Sequence, residues 1–205
     1  MRPGSGVTKL HSEFERLDLA GRSFKERYRL LNGSVIPRPI AFVSTLNEDG
    51  SPNAAPFSAF MIASVEEGYL AFSVGPSEHP KRTLVNIRRD REYVINTVPE
   101  ALASQVQLCG EKYTPQASKF GLSGLTTLPS ERVRAPRVAE CKIQFECRLH
   151  SIMRFGESHT VVGEIVLMHA RAGLVRDGKI NPVDYGPLGR IAGRNYCGVR
   201  DIISV

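Results

Sequence analysis

Two short stretches of this chain carry side chains of the kinds that hold a flat, phosphorylated ligand. The first is His79-Pro80-Lys81-Arg82-Thr83. A helix starting there would present backbone N–H groups, two cations and a hydroxyl, which together make a seat for a phosphate. The second runs from Ser51 through Pro52, Asn53, Ala54, Ala55, Pro56 and Phe57 to Ser58, Ala59 and Phe60. Its small alanines let a planar group approach the backbone, and Asn53 and Ser58 offer an amide and a hydroxyl to orient it. Each stretch also has a plainer reading: a capped surface helix with basic residues, and an edge hairpin with a polar turn.

Other chemistries find little support. Cys109, Cys141, Cys147 and Cys197 are scattered without the two-residue spacing of a zinc site or redox dithiol, and read as small buried hydrophobes. His11, His79, His150, His159 and His169 are equally dispersed, so no metal site is expected. Gly189-Arg190-Ile191-Ala192-Gly193 matches no dinucleotide fingerprint, and there is no phosphate-binding Walker loop, nucleophile elbow or Ser/His/Asp set.

The elements that must position these residues are mostly strands. Arg38 to Thr45 is apolar and partly β-branched, and Asp49-Gly50 turns it back into the small-residue arm. Strands are expected at 39–46, 53–60, 69–74 and 93–98, spaced as an antiparallel meander, with the third able to pair with the hairpin. A helix at 77–87 takes Ser77 as its cap and Pro80 in its first turn, and a second covers 100–108. Further helical stretches are expected at 114–120 and at 12–32, the latter capped by Ser12 and stopped at Asn32-Gly33.

Cys141 to His150 alternates apolar and polar residues, the pattern of a half-buried strand, and returns as His159 to Met168 after a turn near Gly156. Asp177-Gly178 marks another hairpin turn. About seven strands with closely spaced turns favour a closed antiparallel barrel flanked by a few short helices, because closure removes exposed edges.

The 205 residues, 41% hydrophobic, suffice for a sizeable core. They divide into an N-terminal helical extension, 1–34, and a barrel domain, 35–205. No apolar run is long enough to span a bilayer and Met1 to Gly6 lacks a signal-like stretch, so a cytoplasmic protein with no membrane partner is expected. The net charge of +6 is concentrated at Arg88-Arg89-Asp90-Arg91 and between Arg132 and Arg137. It suits a phosphorylated cofactor, nucleic acid, or simply a solvated basic face.

Pro39-Ile40-Ala41-Phe42-Val43-Ser44-Thr45, then Asp49-Gly50-Ser51-Pro52-Asn53-Ala54-Ala55-Pro56-Phe57-Ser58, then Lys81-Arg82-Thr83 with Asn86, then His159 before Val162-Gly163-Glu164, resembles the flavin reductase-like family of FMN-binding split β-barrels. The likeness covers about residues 35–200. It implies that Ser44, Thr45, Asn53, Ala54, Ala55 and Ser58 line the ring and ribityl chain of FMN, and that Lys81 and Thr83 hold its phosphate. It also implies that Arg190, Asn195 and Tyr196 close the pocket or cross a homodimer interface, and that His159 lies where a nicotinamide would stack.

Arg82 departs from the family, in which this position is commonly acidic. Its charge would favour FMN or recruit the extra phosphate of FAD or NADPH. The implied activity is hydride transfer from NAD(P)H to flavin, with reduced flavin passed to a flavin-dependent monooxygenase or another acceptor. The alternatives are an FMN carrier with little reductase activity and, less favoured, a basic nucleic-acid-binding barrel.

Overall fold

The computed structural model describes residues 14–111 and 119–205. The chain divides into two units with the boundary between Val35 and Ile36. In the first, helix α1 (Phe24–Ser34) starts from a reciprocal capping box. The Glu26 amide donates to Ser23 Oγ at 3.3 Å, and the Ser23 amide donates to the Glu26 carboxylate at 2.9 Å. The expected cap, Ser12, lies outside the described residues. The expected stop is corrected too: α1 runs through Asn32 and Gly33 to Ser34.

The second unit is mainly antiparallel β with a few short helices. Its N-terminal half contains β1 (Arg38–Pro39), β2 (Ala41–Leu46), β3 (Pro52–Phe57), β4 (Phe60–Ser64), β5 (Tyr69–Val74), α2 (Arg82–Asp90) and β6 (Glu92–Thr97). A 3-10 turn at Glu100–Leu102, α3 (Ala103–Gly110) and α4 (Lys119–Ser123) follow. After β7 (Thr127–Leu128) and β8 (Arg137–Val138) come the long strands β9 (Ile143–Phe155) and β10 (Ser158–Ala170). The chain ends with β11 (Val175–Arg176), β12 (Lys179–Ile180), α5 (Pro182–Tyr185), β13 (Leu188–Arg190) and β14 (Tyr196–Gly198).

Seven strands form one sheet in the order β3-β2-β6-β9-β10-β5-β4, antiparallel at every junction. This order corrects the expected meander. Strand β5 pairs with β4 and β10 rather than with the β2–β3 hairpin. The expected strand at 53–60 ends at Phe57, and β4, which no sequence signal marked, follows it.

The sheet nevertheless rolls upon itself, because strands near its opposite ends share one core. Phe57 of β3 and Phe72 of β5 meet with ring centroids 5.1 Å apart, and Tyr93 of β6 stands edge-on to Phe72. Leu84 and Ile87 of α2 pack into the same core, which fixes that helix against the inner face. Strand β2 is buried on both sides: Ala41 and Val43 face this core, while Ile40 just before it and Phe42 face a second one with α3, α4 and Leu188.

Three expected features held locally. Gly50 takes φ +78° at the β2–β3 turn, and Asp177 and Gly178 are both left-handed between β11 and β12, as such hairpin turns require. Strands β9 and β10 pair over their full length around Gly156-Glu157. The polar face of β9 was expected to be solvated, but Gln144 and Glu146 are buried beneath residues 129–138. Gln144 donates to the Val138 and Cys141 carbonyls. The Glu146 carboxylate accepts from the amides of Glu131, Arg132 and Val133 and pairs with His169 at 2.6 Å.

Candidate functional site

The start of α2 lies against the small-residue arm of the hairpin. The N-cap residue is Lys81, which corrects the expected cap at Ser77. The hydroxyl of Ser77 is spent on the His79 carbonyl, and a residue before proline favours extended backbone, so the helix begins only after Pro80. Lys81 makes no side-chain cap hydrogen bond, and its ammonium lies 5.8 Å from the centre of the Phe57 ring. Surrounding protein lowers the Lys81 pKa by desolvating the ammonium.

Four nearly wholly buried polar residues join this helix to the hairpin. Thr45, Asn53, Thr83 and Asn86 are each at most 2% exposed. The Asn53 amide donates to the hydroxyls of Thr45 and Thr83, both at 3.2 Å. The Asn86 amide donates to Thr45 at 3.0 Å and to the Asn47 side-chain oxygen at 3.1 Å. These groups therefore hold α2 in register with β2 and β3, leaving Lys81 exposed and Arg82 half-buried beside them.

The predicted ring-lining residues do not share one face. Ala55, half-buried, is on the inner face with Thr45 and Asn53. Ser44 and Ala54 are wholly buried on the opposite face. There Ser44 donates to the Pro136 carbonyl and accepts from Asn96 at 3.0 Å. Ser58, at the corner after β3, accepts from Arg38 at 3.3 Å.

A second constellation forms at the C-terminal end. The Arg190 guanidinium stacks 4.5 Å from the centre of the Tyr196 ring and donates to its hydroxyl and to the Gly193 carbonyl. Both Arg190 and Tyr196 also donate to Gln107 of α3, at 3.2 and 2.8 Å. Burial raises the Tyr196 pKa against the opposing pull of Arg190 and Arg194. Asn195 is exposed, and its backbone closes the turn between β13 and β14.

His159 stands half-buried at the start of β10, opposite Val74 of β5 and on the same face of its strand as the core residue Val161. No described hydrogen bond joins it to Lys81 or to the Arg190–Tyr196 pair.

Sequence reasoning passed over Gln107 and Arg38. Arg38 is 9% exposed and donates to the Ile191 carbonyl at 2.6 Å as well as to Ser58, linking the C-terminal strands to the β3–β4 corner. A lone glutamine in a helix and an arginine between two prolines give no pattern that marks them. The two basic runs do converge: Asp90 pairs with both Arg89 and Arg134, and Arg134 also pairs with Glu92.

A half-open, largely apolar cavity of about 230 Å³ lies elsewhere, between β1, β13 and the start of β4. None of the predicted site residues lines it. Cations and backbone N–H groups come together instead at the exposed start of α2.

The family model of the flavin reductase like domain matches residues 33–188 of the chain. Among solved structures, nitrilotriacetate monooxygenase component B from Bacillus cereus is 28% identical, with a TM-score of 0.90 over 94% of this chain and 98% of that one. The 2-nitrobenzoate 2-nitroreductase of Pseudomonas fluorescens is 33% identical, with a TM-score of 0.86 over 93% and 95%. A split barrel domain protein from Shewanella frigidimarina, 20% identical with a TM-score of 0.82 over 90% and 93%, shares the fold. An uncharacterised protein of Aquifex aeolicus is 35% identical over 82% of this chain and 88% of its own length.

Proposed function

The chain belongs to the flavin reductase-like family, and from that premise we propose that it binds FMN and carries electrons from NAD(P)H to the flavin. The observation that carries this reading is the start of α2. An uncapped helix N-terminus with Lys81 and Arg82 lies beside the small-residue strand β3, fixed to it by the Asn53–Thr83 bond. This donor set fits a dianionic phosphate, and Ala55 leaves room beside it for a flat ring.

In this reading Lys81 and Arg82 hold the phosphate. Thr83, turned inward, keeps the helix start in place. FMN, when bound, supplies hydride acceptance and electron transfer. The protein contributes position and access: Ser58 orients the ring edge, His159 sets the stacking position of the nicotinamide, and the Arg190–Tyr196 pair with Asn195 borders the open side. No side chain is required to transfer a proton.

A homodimer accompanies this reading. Edge strand β4 exposes Met61 and Ile62 at 59% and 66%, and a second copy would cover them. The Bacillus cereus relative is described as one component of a monooxygenase, which supports delivery of reduced flavin to a partner oxygenase. FAD in place of FMN is accommodated by the extra charge of Arg82.

The test is the absorbance spectrum of the purified full chain, followed by additions of NADH or NADPH with and without FMN. A flavin band bleached by nicotinamide is expected. A flavin band that nicotinamide leaves unchanged would indicate an FMN carrier, and indifference to flavin would remove the proposal.

A further inference from the structure

Strand β3 lies at one end of the seven-stranded sheet and pairs only with β2. Helix α2 approaches it from the inner face, where Thr83 bonds to Asn53. From the other face come Cys109 of α3 and Phe120 of α4, which share the second core with Ala54. The end of α3 meets the same strand, since a Cβ on Gly110 would lie 3.2 Å from the Pro56 ring. No further strand separates the two groups of helices at this free edge.

Lys119, the first residue of α4, is half-buried at that junction. Its ammonium donates to the Cys109 carbonyl at 2.7 Å, a neutral acceptor in the last turn of α3. An ammonium has three donors, and this bond uses one of them. Burial lowers the Lys119 pKa; the Cys109 thiol opposes that shift, while the charges of Arg82 and Lys81 reinforce it. The starts of α2 and α4 thus bring three cations within reach of one another's fields. Among the described residues no carboxylate pairs with Lys81 or Lys119. Asp49, which acts on Arg82, is taken up by the amide and hydroxyl of Ser51. Like charges gathered in partly desolvated surroundings repel one another, and a multivalent anion among them relieves that repulsion.

We propose that Lys119 is a third ligand of the phosphate at the start of α2, reaching it around the free edge of β3. This inference rests on the reading of that helix start as the FMN phosphate seat, and adds to it a residue from the far side of the strand. Lys119 stands outside the segment from His79 to Thr83 that the sequence marks, so no motif points to it. Its bond to Cys109 also caps the last turn of α3, and the competing explanation is that Lys119 serves structure alone. A structural part would act equally on ligands with and without a phosphate.

The experiment titrates the full-length protein with FMN and with riboflavin, followed by flavin fluorescence. Lys119→Met is expected to weaken FMN binding by about tenfold while leaving riboflavin nearly unchanged, and Lys119→Arg to keep most of the FMN affinity. Lysine side-chain NMR of the native chain covers the case in which the variants do not fold: the Lys119 amine should rise in pKa when FMN or inorganic phosphate is added, and not when riboflavin is. FMN affinity unchanged in Lys119→Met, equal weakening of both ligands, or a Lys119 amine indifferent to phosphate would overturn the proposal while leaving the native preference for FMN in place. Equal affinity of the native protein for FMN and riboflavin would instead remove the phosphate seat itself, and the role of Lys119 with it.

Discussion

The side-chain amide of Asn53 reaches from β3 to the hydroxyl of Thr83 in the first turn of α2, 3.2 Å away, with both residues almost wholly excluded from solvent. This bond couples the small-residue strand to the helix start that carries Lys81. Asn53→Ala takes the amide donor from the buried Thr83 hydroxyl and one of two amide donors from Thr45, so it should lower unfolding stability by about 1–3 kcal/mol. It should also weaken FMN binding, because the helix start loses its anchor. Denaturant unfolding and flavin titration on the same variant check both effects.

Tyr93 occupies the space that a side chain at position 163 would need. A Cβ on Gly163 would meet the Tyr93 hydroxyl at 2.0 Å and its ring carbon at 2.8 Å. Gly163→Ala should therefore cost about 1–3 kcal/mol through overpacking. Tyr93→Phe removes a buried hydroxyl that has no hydrogen-bond partner among the described residues, and should be close to neutral alone. Combined with Gly163→Ala it should restore part of the lost stability, since the hydroxyl clash is gone and the ring contact remains. A double-mutant cycle by chemical denaturation reads this coupling directly.

Glu146 gives the fold an acid-sensitive clasp. Burial alone would raise its pKa, but the amides of Glu131 and Arg132, together with His169, outweigh burial and hold it below the ordinary value of 4.5. A carboxyl depressed in the folded state contributes stability that is present above its unfolded pKa and lost as pH falls through the folded pKa. Stability should therefore decline as pH drops below about 4.5, with early loosening of residues 131–133. Glu146→Gln, which cannot accept from all three amides, should cost about 3 kcal/mol at neutral pH and flatten this acid limb. Amide exchange at Glu131 to Val133 against pH is the measurement.

His159→Ala should reduce turnover with NAD(P)H by more than it changes FMN affinity, because the proposed role of His159 is to place the nicotinamide and not to hold the flavin. Steady-state kinetics at saturating FMN, beside a flavin titration, separates the two. A loss of FMN affinity with turnover of the loaded protein unchanged would contradict that role.

How much of this was legible in the sequence depended on whether the signal was local. Asp49-Gly50 and Asp177-Gly178 specify their turns through backbone conformation alone, and the apolar alternation of Cys141–His150 and His159–Met168 marks a hairpin whichever strands lie beside it. The order of the sheet was not legible, because pairing β5 with β10 rather than with β2–β3 depends on contacts between segments about ninety residues apart. Glu146 looked like a solvent-facing position. Only the later wrapping of residues 129–138 over β9 turned its carboxylate inward. Ser23-x-x-Glu26 was a readable cap for α1, and reading Ser12 as the cap passed it over. At the candidate site the residue types were legible but their directions were not: Thr83 and Asn53 bond to one another, while Ser44 and Ala54 face away from them.

A phosphate seated at the start of α2 distinguishes FMN from riboflavin, which lacks that group. Titration of the full chain with FMN and with riboflavin, followed by quenching of flavin fluorescence, should show FMN bound more tightly. Lys81→Met should remove about tenfold of that preference while leaving riboflavin affinity nearly unchanged. Equal affinity of the native protein for FMN and riboflavin, or a preference for FMN that survives Lys81→Met intact, would contradict the account.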